Sequence, residues 1–182
     1  MRLFIAVDLA DELREKFSPI ISALGRFNVK TVELKNLHIT LKFLGEVNER
    51  MLPLIDSKLK EIKFSPFKIK FNGIGYFPNE KNPRVVWVGV EGEKLKELAE
   101  EVEQRMKKLG FKKDKEFHPH LTVGRIKMLD KSERGKLVRE METFNTEWGE
   151  MIVDKFKLKK STLTPKGPIY EDVFVYEARG GN

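Results

Sequence analysis

Residues 38–41 read His38-Ile39-Thr40-Leu41, and residues 120–123 read His120-Leu121-Thr122-Val123. Each motif places a histidine and a threonine two residues apart in an apolar, β-branched stretch typical of a strand. Because side chains alternate across a strand, the His and Thr of each motif share one face, and the apolar residues share the other. The sequence therefore predicts two similar strands, each presenting a His-Thr pair on its open face.

The two motifs belong to a longer internal repeat. With one offset of 82 residues and no gaps, Arg2 aligns with Arg84 and Leu13 with Leu95, in addition to the motifs themselves. The identities fall in matching strands and helices, which is the pattern of an internal duplication. The two copies cover roughly residues 2–77 and 84–163.

Each copy predicts the element order β-α-β-β-α-β with an additional closing strand. Apolar strands at about residues 2–9 and 84–90 are each followed by an amphipathic helix. This is the ferredoxin-like order, which gives an antiparallel sheet with helices on one face. We predict an α+β fold: one bilobal domain over residues 1–182, with two pseudo-twofold-related ferredoxin-like lobes. Their antiparallel sheets would face a central cleft, with the helices outside.

Composition narrows the possible functions. The chain of 182 residues contains no cysteine, which excludes disulfide scaffolds, thiolate metal sites and cysteine nucleophiles. Its first apolar run meets acidic residues too early for a signal peptide or a membrane span, so we expect a cytoplasmic monomer without membrane or protein partner. Charged residues make up 35%, as is common in proteins of thermophiles. The net charge of +7 favours a polyanionic partner such as RNA, or reflects a solvated basic surface.

Two histidines facing each other across a cleft suit phosphoester cleavage. One imidazole can deprotonate the attacking oxygen while the other protonates the departing oxygen. The Thr40 and Thr122 hydroxyls can hydrogen-bond the nonbridging phosphate oxygens. Such a site requires no metal and no cofactor, and we predict neither.

A zinc site at His118-Pro119-His120 is the alternative, because residues two apart on a strand can share a metal ligand face. The absence of cysteine and of an obvious third ligand nearby argues against it. His118 aligns with Asn36 in the repeat and is interpreted as a local hydrogen-bonding residue.

The motifs and their surroundings resemble the two-histidine (2H) phosphoesterase superfamily. Within it, the chain is most similar to the RNA 2′,3′-cyclic phosphodiesterase group, also called 2′-5′ RNA ligases. The resemblance spans nearly the whole chain and rests on residues 2–9, 37–45, 119–125 and 161–170. It implies hydrolysis of a 2′,3′-cyclic phosphate to a 2′-phosphate, with His120 as general base and His38 as general acid. The implied partners are RNA ends, including tRNA fragments or nucleotides.

The same resemblance implies that Phe43 stacks on the terminal base and that Arg125 contacts phosphate or base. Strict alternation would place both on the face opposite the histidines, so a bulge or a strand end would have to intervene. In an undisturbed strand, Lys42 would share the face of His38 and Thr40 and would be the phosphate contact. Core packing is the alternative for Phe43, and an exposed charge is the alternative for Lys42 and Arg125.

Further aromatic and basic residues flank the turn between the two copies. Tyr76, Phe77 and Arg84 could stack bases or hold phosphates at a cleft rim. Trp87 and Trp148 are interpreted as packing residues rather than base platforms.

Three other functions are compatible with the sequence. The same site could join a cyclic phosphate end to a 5′-hydroxyl, as a 2′-5′ RNA ligase. The chain could be a noncatalytic module that binds RNA ends, or a phosphodiesterase for a small cyclic nucleotide or nucleotide sugar. The chain contains no Gly-x-x-x-x-Gly-Lys-Ser/Thr loop, which argues against P-loop activation of RNA ends.

Overall fold

A computed structural model of the chain describes residues 1–113 and 115–179. Short 3-10 turns at Glu15–Phe17, Leu34–Asn36 and Glu49–Met51 accompany the regular elements. In chain order the regular elements are β1 (Arg2–Asp8), α1 (Asp11–Arg14), α2 (Ser18–Leu24), β2 (Val29–Thr31), β3 (His38–Glu46), α3 (Leu52–Leu59), β4 (Phe67–Phe77), β5 (Val85–Glu91), α4 (Glu93–Lys107), β6 (His120–Ile126), α5 (Lys131–Met141), β7 (Glu147–Val153), β8 (Lys155–Thr164) and β9 (Gly167–Glu177).

The strands form two antiparallel sheets, which confirms the predicted α+β class. The first sheet has the strand order β3-β1-β8-β9, and the second has the order β2-β6-β5-β4-β7. The strands β3 and β6, which begin with the two histidines, contact each other where the sheets meet. The helix α4 packs against α3 and β3, while α2 packs against α5 and β6. The helices therefore cover one face of each sheet.

The two sheets do not coincide with the two copies of the sequence repeat. The last strand of the first copy, β4, pairs with β5 in the second sheet, and β8 of the second copy pairs with β1 in the first sheet. The strands β4 and β5 are joined by a short turn, so their pairing as a hairpin closes only a small loop. This reciprocal exchange of strands is not visible in the order of elements along the chain.

Both histidine strands contain a β-bulge at the same place. In β3 the pairing with β1 skips Leu41, and in β6 the pairing with β5 skips Val123. A bulge leaves one residue unpaired and reverses the alternation of side chains beyond it. The residues that follow each bulge therefore change faces, which decides what lies beside the histidines.

The pairing also corrects the gapless alignment of the two copies. Asp8 lies opposite His38, and Gly89 lies opposite His120. The first strands are thus related by 81 residues, although the histidine strands are related by 82. The offset of 82 is wrong for β1 and β5, because the one-residue difference falls in the connection after the strand, where an insertion disturbs little packing.

The core lies between the sheets and the helices. Phe17 of the helical segment stacks on Trp148 with ring centroids 5.3 Å apart and meets Phe71 edge-on at 5.8 Å. Trp148 is buried, in agreement with its interpretation as a packing residue. Among the described residues, no helix combines the length and apolar character needed to cross a membrane.

Candidate active site

The two histidines begin neighbouring strands at the junction of the sheets. His38 is the first residue of β3 and His120 is the first residue of β6, and both are half-buried. The positive charge of Arg125 acts on both imidazoles. The structure therefore brings the two predicted histidines to one site that shares a single guanidinium.

Both imidazoles are held in the same way by their own chain. Nδ1 of His38 lies 2.7 Å from the carbonyl oxygen of Asn36, and Nδ1 of His120 lies 2.6 Å from the carbonyl oxygen of His118. A carbonyl can only accept, so Nδ1 carries a proton in each ring. This leaves each Nε2 as the atom that can exchange a proton with a ligand. Nε2 of His38 also lies 3.1 Å from the Thr40 hydroxyl oxygen.

Burial is the largest influence on His38 and lowers the pKa of its imidazole below the ordinary value. The hydrogen bond to the Asn36 carbonyl and the nearby Asp8 carboxylate oppose this effect and raise the pKa. The positive charges of Lys159 and Arg125 lower it further. The neutral ring is therefore favoured, and Asp8 is the nearby carboxylate that counteracts this preference.

Burial also lowers the pKa of the His120 imidazole, and here too it is the largest influence. The hydrogen bond to the His118 carbonyl raises the pKa, whereas the neighbouring His118 ring and Arg125 lower it. No carboxylate contributes to the shift at His120 among the residues that the structure describes. Its environment therefore favours the neutral form that a general base requires.

The bulges place Phe43 and Arg125 on the cleft side of their strands. Phe43 is 62% exposed, and Arg125 is also exposed. The ring of Phe4 on β1 connects Phe43 to the site, because it lies 6.3 Å from Phe43 and 5.1 Å from His38. Phe43 and Arg125 could share a face with the histidines only if a bulge intervened, and such a bulge is present in both strands. Both residues can reach a ligand in the cleft.

Lys42 does not lie in the cleft, and its prediction as a phosphate contact is wrong. Its side chain is buried, with Nζ 2.8 Å from a Glu103 carboxylate oxygen and 2.9 Å from the Lys112 carbonyl oxygen. The bulge at Leu41 turns Lys42 toward α4 instead of the open face. Lys42 therefore joins β3 to α4 and to the segment that leads into β6.

We call the open face of the first sheet the His38 wall; its residues are Phe4, Asp8, His38 and Tyr170. Tyr170 on β9 meets His38 edge-on at 5.3 Å and Phe4 at 5.1 Å. Burial raises the pKa of the Tyr170 phenol, and Arg125 and Arg2 oppose this. Tyr170 falls in one of the stretches that carry the family resemblance, but it was not predicted as a site residue.

An ion cluster borders the His38 wall. Lys157 Nζ lies 2.8 Å from carboxylate oxygens of both Asp8 and Asp172, and Lys159 Nζ lies 2.5 Å from Asp8 and 3.3 Å from Asp172. Burial alone would raise the pKa of each aspartate, but the two lysines outweigh it and lower both values. Burial likewise opposes the charge on Lys157, yet its carboxylate partners raise its pKa. This cluster was not predicted from the sequence; the signal that could have indicated it is the alternation of Lys157 and Lys159 along β8.

We call the open face of the second sheet the His120 wall; its residues are Phe77, Trp87, His118 and His120. The Phe77 ring lies 5.0 Å from His120 and 5.4 Å from His118, and Trp87 lies 4.9 Å from His118. Phe77 is therefore at the cleft, as predicted for the rim, and Trp87 is half-buried beside it.

The other rim residues differ from Phe77. Tyr76 lies opposite Val86, a fully buried residue, and so belongs to the helix-covered face. The prediction that Tyr76 lies at the rim is therefore wrong, because alternation along β4 separates it from Phe77. Arg84 is exposed in the turn between the copies.

The alternative zinc site at His118 and His120 would require further metal-ligating side chains nearby. Among residues 1–113 and 115–179, no group of three or more His, Cys, Asp or Glu side chains is arranged to hold a metal ion. The rings of His118 and His120 have centroids 6.1 Å apart, and each contacts the aromatic residues of the His120 wall. The neighbours of this histidine pair are aromatic rings rather than ligands.

Comparison with known proteins gives consistent matches over the whole chain. The family described as LigT like Phosphoesterase matches twice, at residues 3–87 and 88–170. The RNA 2′,3′-cyclic phosphodiesterase of Archaeoglobus fulgidus is 53% identical over 179 residues, covering 97% of this chain and 100% of that protein. The protein of the same name from Methanocaldococcus jannaschii is 42% identical over 177 residues, covering 94% of this chain and 97% of that protein.

Solved structures agree with this match. A crystal structure of a Thermus thermophilus protein has a TM-score of 0.83 at 32% identity and covers 100% of both chains. The crystal structure of Escherichia coli LigT complexed with 3′-AMP has a TM-score of 0.77 at 25% identity and covers 98% of both chains.

Proposed function

The chain belongs to the LigT-like phosphoesterase family, and on this basis we propose that it is an RNA 2′,3′-cyclic phosphodiesterase that produces 2′-phosphate ends. Relatives that are 53%, 42% and 41% identical over nearly their whole length carry this name. The enzyme is therefore a hydrolase, and its substrate class is RNA.

The observation that carries the mechanism is the matched anchoring of the two imidazoles. His38 and His120 each donate from Nδ1 to a carbonyl two residues earlier, so both rings have a fixed tautomer that leaves Nε2 as the atom that exchanges a proton with the substrate. Two Nε2 atoms near one guanidinium suit an in-line displacement at a phosphate, where one proton leaves and another arrives.

The proposed reaction proceeds in one displacement. Nε2 of His120 removes a proton from water, and the water oxygen forms a bond to phosphorus. The bond from phosphorus to O3′ breaks, and the His38 imidazolium gives its Nε2 proton to O3′. The products are a 2′-phosphate and a free 3′-hydroxyl. Proton exchange with solvent then restores neutral His120 and protonated His38.

The assignment of acid and base follows the family pattern, and different charges surround the two rings. Asp8 raises the pKa of His38 and so favours the imidazolium that an acid requires, although Lys159 opposes it. His120 has the His118 ring as a neighbour, which lowers its pKa and favours a neutral base. Because the pKa is lowered at both histidines, the assignment rests on the family pattern.

The remaining site residues have roles in holding the substrate. Thr40 and Thr122 lie two residues after the histidines on the same strands, where their hydroxyls can donate to nonbridging phosphate oxygens. The exposed Arg125 neutralises the phosphate. The exposed ring of Phe43 stacks on the base of the terminal nucleotide.

Ligation at the same site is the second candidate. The same displacement joins two ends when the 5′-hydroxyl of another RNA replaces water: its oxygen forms the bond to phosphorus, the bond from phosphorus to O3′ breaks, and a 2′-5′ phosphodiester results. The family's LigT-like description supports this activity. We further propose that the protein acts as a cytoplasmic monomer on RNA ends, including tRNA fragments, without metal or cofactor.

The direct test is incubation with a short RNA that ends in a 2′,3′-cyclic phosphate, with EDTA present. We expect a 2′-phosphate product, identified by chromatography against 2′- and 3′-phosphate standards. His38→Ala and His120→Ala should each lower the rate by about 100 to 10,000-fold. Full activity in both variants would overturn the mechanism, and a 3′-phosphate product would overturn the assigned leaving oxygen.

A further inference from the structure

The two walls of the cleft differ at positions that strand pairing makes equivalent. Ala6 pairs with Thr40, and Trp87 pairs with Thr122, so Ala6 and Trp87 occupy equivalent positions. In the same way, Lys159 pairs with Phe4 and Phe77 pairs with Val85, so Lys159 and Phe77 are equivalent. Beside His38 these positions hold the small Ala6 and the Lys159 of the ion cluster, whereas beside His120 they hold the two aromatic rings of Trp87 and Phe77. The asymmetry indicates that the two walls bind different parts of a ligand.

Trp87 lies across the backbone of the neighbouring strand. A side chain at Gly75 would come within 2.1 Å of the indole, and a side chain at Gly89 would come within 3.7 Å. Gly75 therefore leaves the space that the ring occupies on the open face of the second sheet, and Gly89 borders the ring at ordinary contact distance. Phe77 and His118 border the indole at 5.2 Å and 4.9 Å, so three rings form one continuous surface.

The chemistry of this surface fits a nucleobase. Planar rings stack on bases through their π faces, and they do so with little sequence preference. His118 is exposed and Phe77 and Trp87 are half-buried, so part of the surface is open to a ligand.

We propose that Trp87, Phe77 and His118 form a stacking site for a second nucleobase, that of the nucleotide on the 5′ side of the cyclic phosphate. This inference rests on the proposed function, because it extends the substrate of the same cleft. In the proposed function the base of the terminal nucleotide stacks on Phe43, which projects from the first sheet. The His120 wall on the second sheet is then available to the preceding base. The enzyme therefore favours a cyclic phosphate end that is preceded by another base over a cyclic mononucleotide.

The test compares two dinucleotides that end in adenosine 2′,3′-cyclic phosphate. One has adenosine at the 5′ position, and the other has an abasic ribose, so both carry the same internucleotide phosphate. We expect kcat/KM to be about ten-fold higher for the substrate with the base, mainly through KM. Equal values for the two substrates would overturn the proposal, because contacts to the backbone would then suffice.

Two matched variants locate the effect. Trp87→Leu should remove the difference between the substrates, whereas Phe43→Leu should lower both values and keep their ratio. A ratio that persists in Trp87→Leu would overturn the assignment. Trp87→Phe, which retains an aromatic ring, should keep most of the ratio and separates stacking from misfolding, and a thermal melt of each variant checks the fold.

A second experiment tests whether the aromatic surface binds the 5′-side base of the substrate or a base of a separate acceptor strand. A dinucleotide with a free 5′-hydroxyl is added in trans to the abasic substrate. Strong inhibition that depends on Trp87, together with no effect of the base in cis, would assign the surface to an acceptor strand and overturn the proposal. Hydrolysis of the abasic substrate reports the proposed function separately, so failure of either idea can be recognised.

Discussion

Phe43 lies on the same side of β3 as His38, although it is an odd number of positions (five) farther along the strand, because the bulge at Leu41 reverses the alternation of side chains. The ring of Phe4 fills the space between them, 5.1 Å from His38 and 6.3 Å from Phe43. The equivalent bulge at Val123 exposes Arg125 on the other strand. One irregularity, used twice, thus places both the stacking residue and the guanidinium beside the histidines.

The same bulge makes Lys42 a structural residue. Lys42→Met would leave the mostly buried Glu103 carboxylate without its counter-ion, so we expect the free energy of unfolding to fall by about 3 kcal/mol. The double variant Lys42→Met/Glu103→Leu should recover most of this loss. Chemical denaturation measures the stability, and KM should stay close to that of the unmodified enzyme. A large rise in KM with unchanged stability would instead restore Lys42 as a phosphate contact.

The threonines of the two motifs can be tested with an isosteric change. Thr40→Val and Thr122→Val remove a hydroxyl but keep the shape, and we expect each to lower kcat by about 100-fold. The reason is the loss of a donor to the charge that develops on the phosphate. Thr162→Val, on the exposed part of β8, is the control and should leave kcat unchanged. Loss of less than two-fold in both motif variants would contradict their proposed role.

The pH profile should report the charges around His38. Asp8 raises the pKa of this imidazole and Lys159 lowers it, so Asp8→Asn should move the pKa further down and Lys159→Met should move it up. His38 must be protonated to act as acid. The alkaline limb of kcat/KM against pH should therefore move to lower pH in Asp8→Asn and to higher pH in Lys159→Met. Asp172→Asn is the comparison variant, because Asp172 belongs to the same ion cluster but is not among the groups that shift the pKa of His38. Shifts in the same direction for both charge changes would contradict this account.

The ion cluster should also make stability depend on pH. The pKa values of Asp8 and Asp172 are lowered in the folded protein, so their contribution is complete above the unfolded value of about 3.9. It is lost as pH falls below that value toward the lowered folded values. We expect the melting temperature to fall gently between pH 7 and about 5, because the two histidines have lowered pKa values in the folded protein and bind protons more readily in the unfolded chain, and to fall steeply below about 4 as the aspartates are protonated. Asp172→Asn should flatten this fall, and an unchanged slope would show that other carboxylates dominate.

Several features of the site could be predicted from the sequence because they depend on local regularities. The spacing of His38 and Thr40 places them on one face of any strand, and the same holds for His120 and Thr122. The conflict between alternation and the assigned position of Phe43 also indicated that a bulge was needed. Composition and element order were sufficient to predict the α+β class.

Other features depend on contacts between distant parts of the chain. Asp8 and Lys159 form an ion pair because β1 pairs with β8, which lies in the other copy of the repeat. Lys42 finds Glu103 because α4 packs against β3. Neither pairing follows from the order of elements, since a strand can pair with any exposed edge of suitable length.

The sequence by itself determined that two His-Thr pairs would lie on the open faces of two similar strands, because alternation is a property of each strand alone. The tertiary structure decided what surrounds them. Strand exchange brought Lys157 and Lys159 to the His38 wall and Phe77 to the His120 wall, and the bulges turned Phe43 and Arg125 into the cleft. Those outcomes depend on which strands pair and in what register. The pairing and the register are selected together, because only the correct combination buries the whole apolar core.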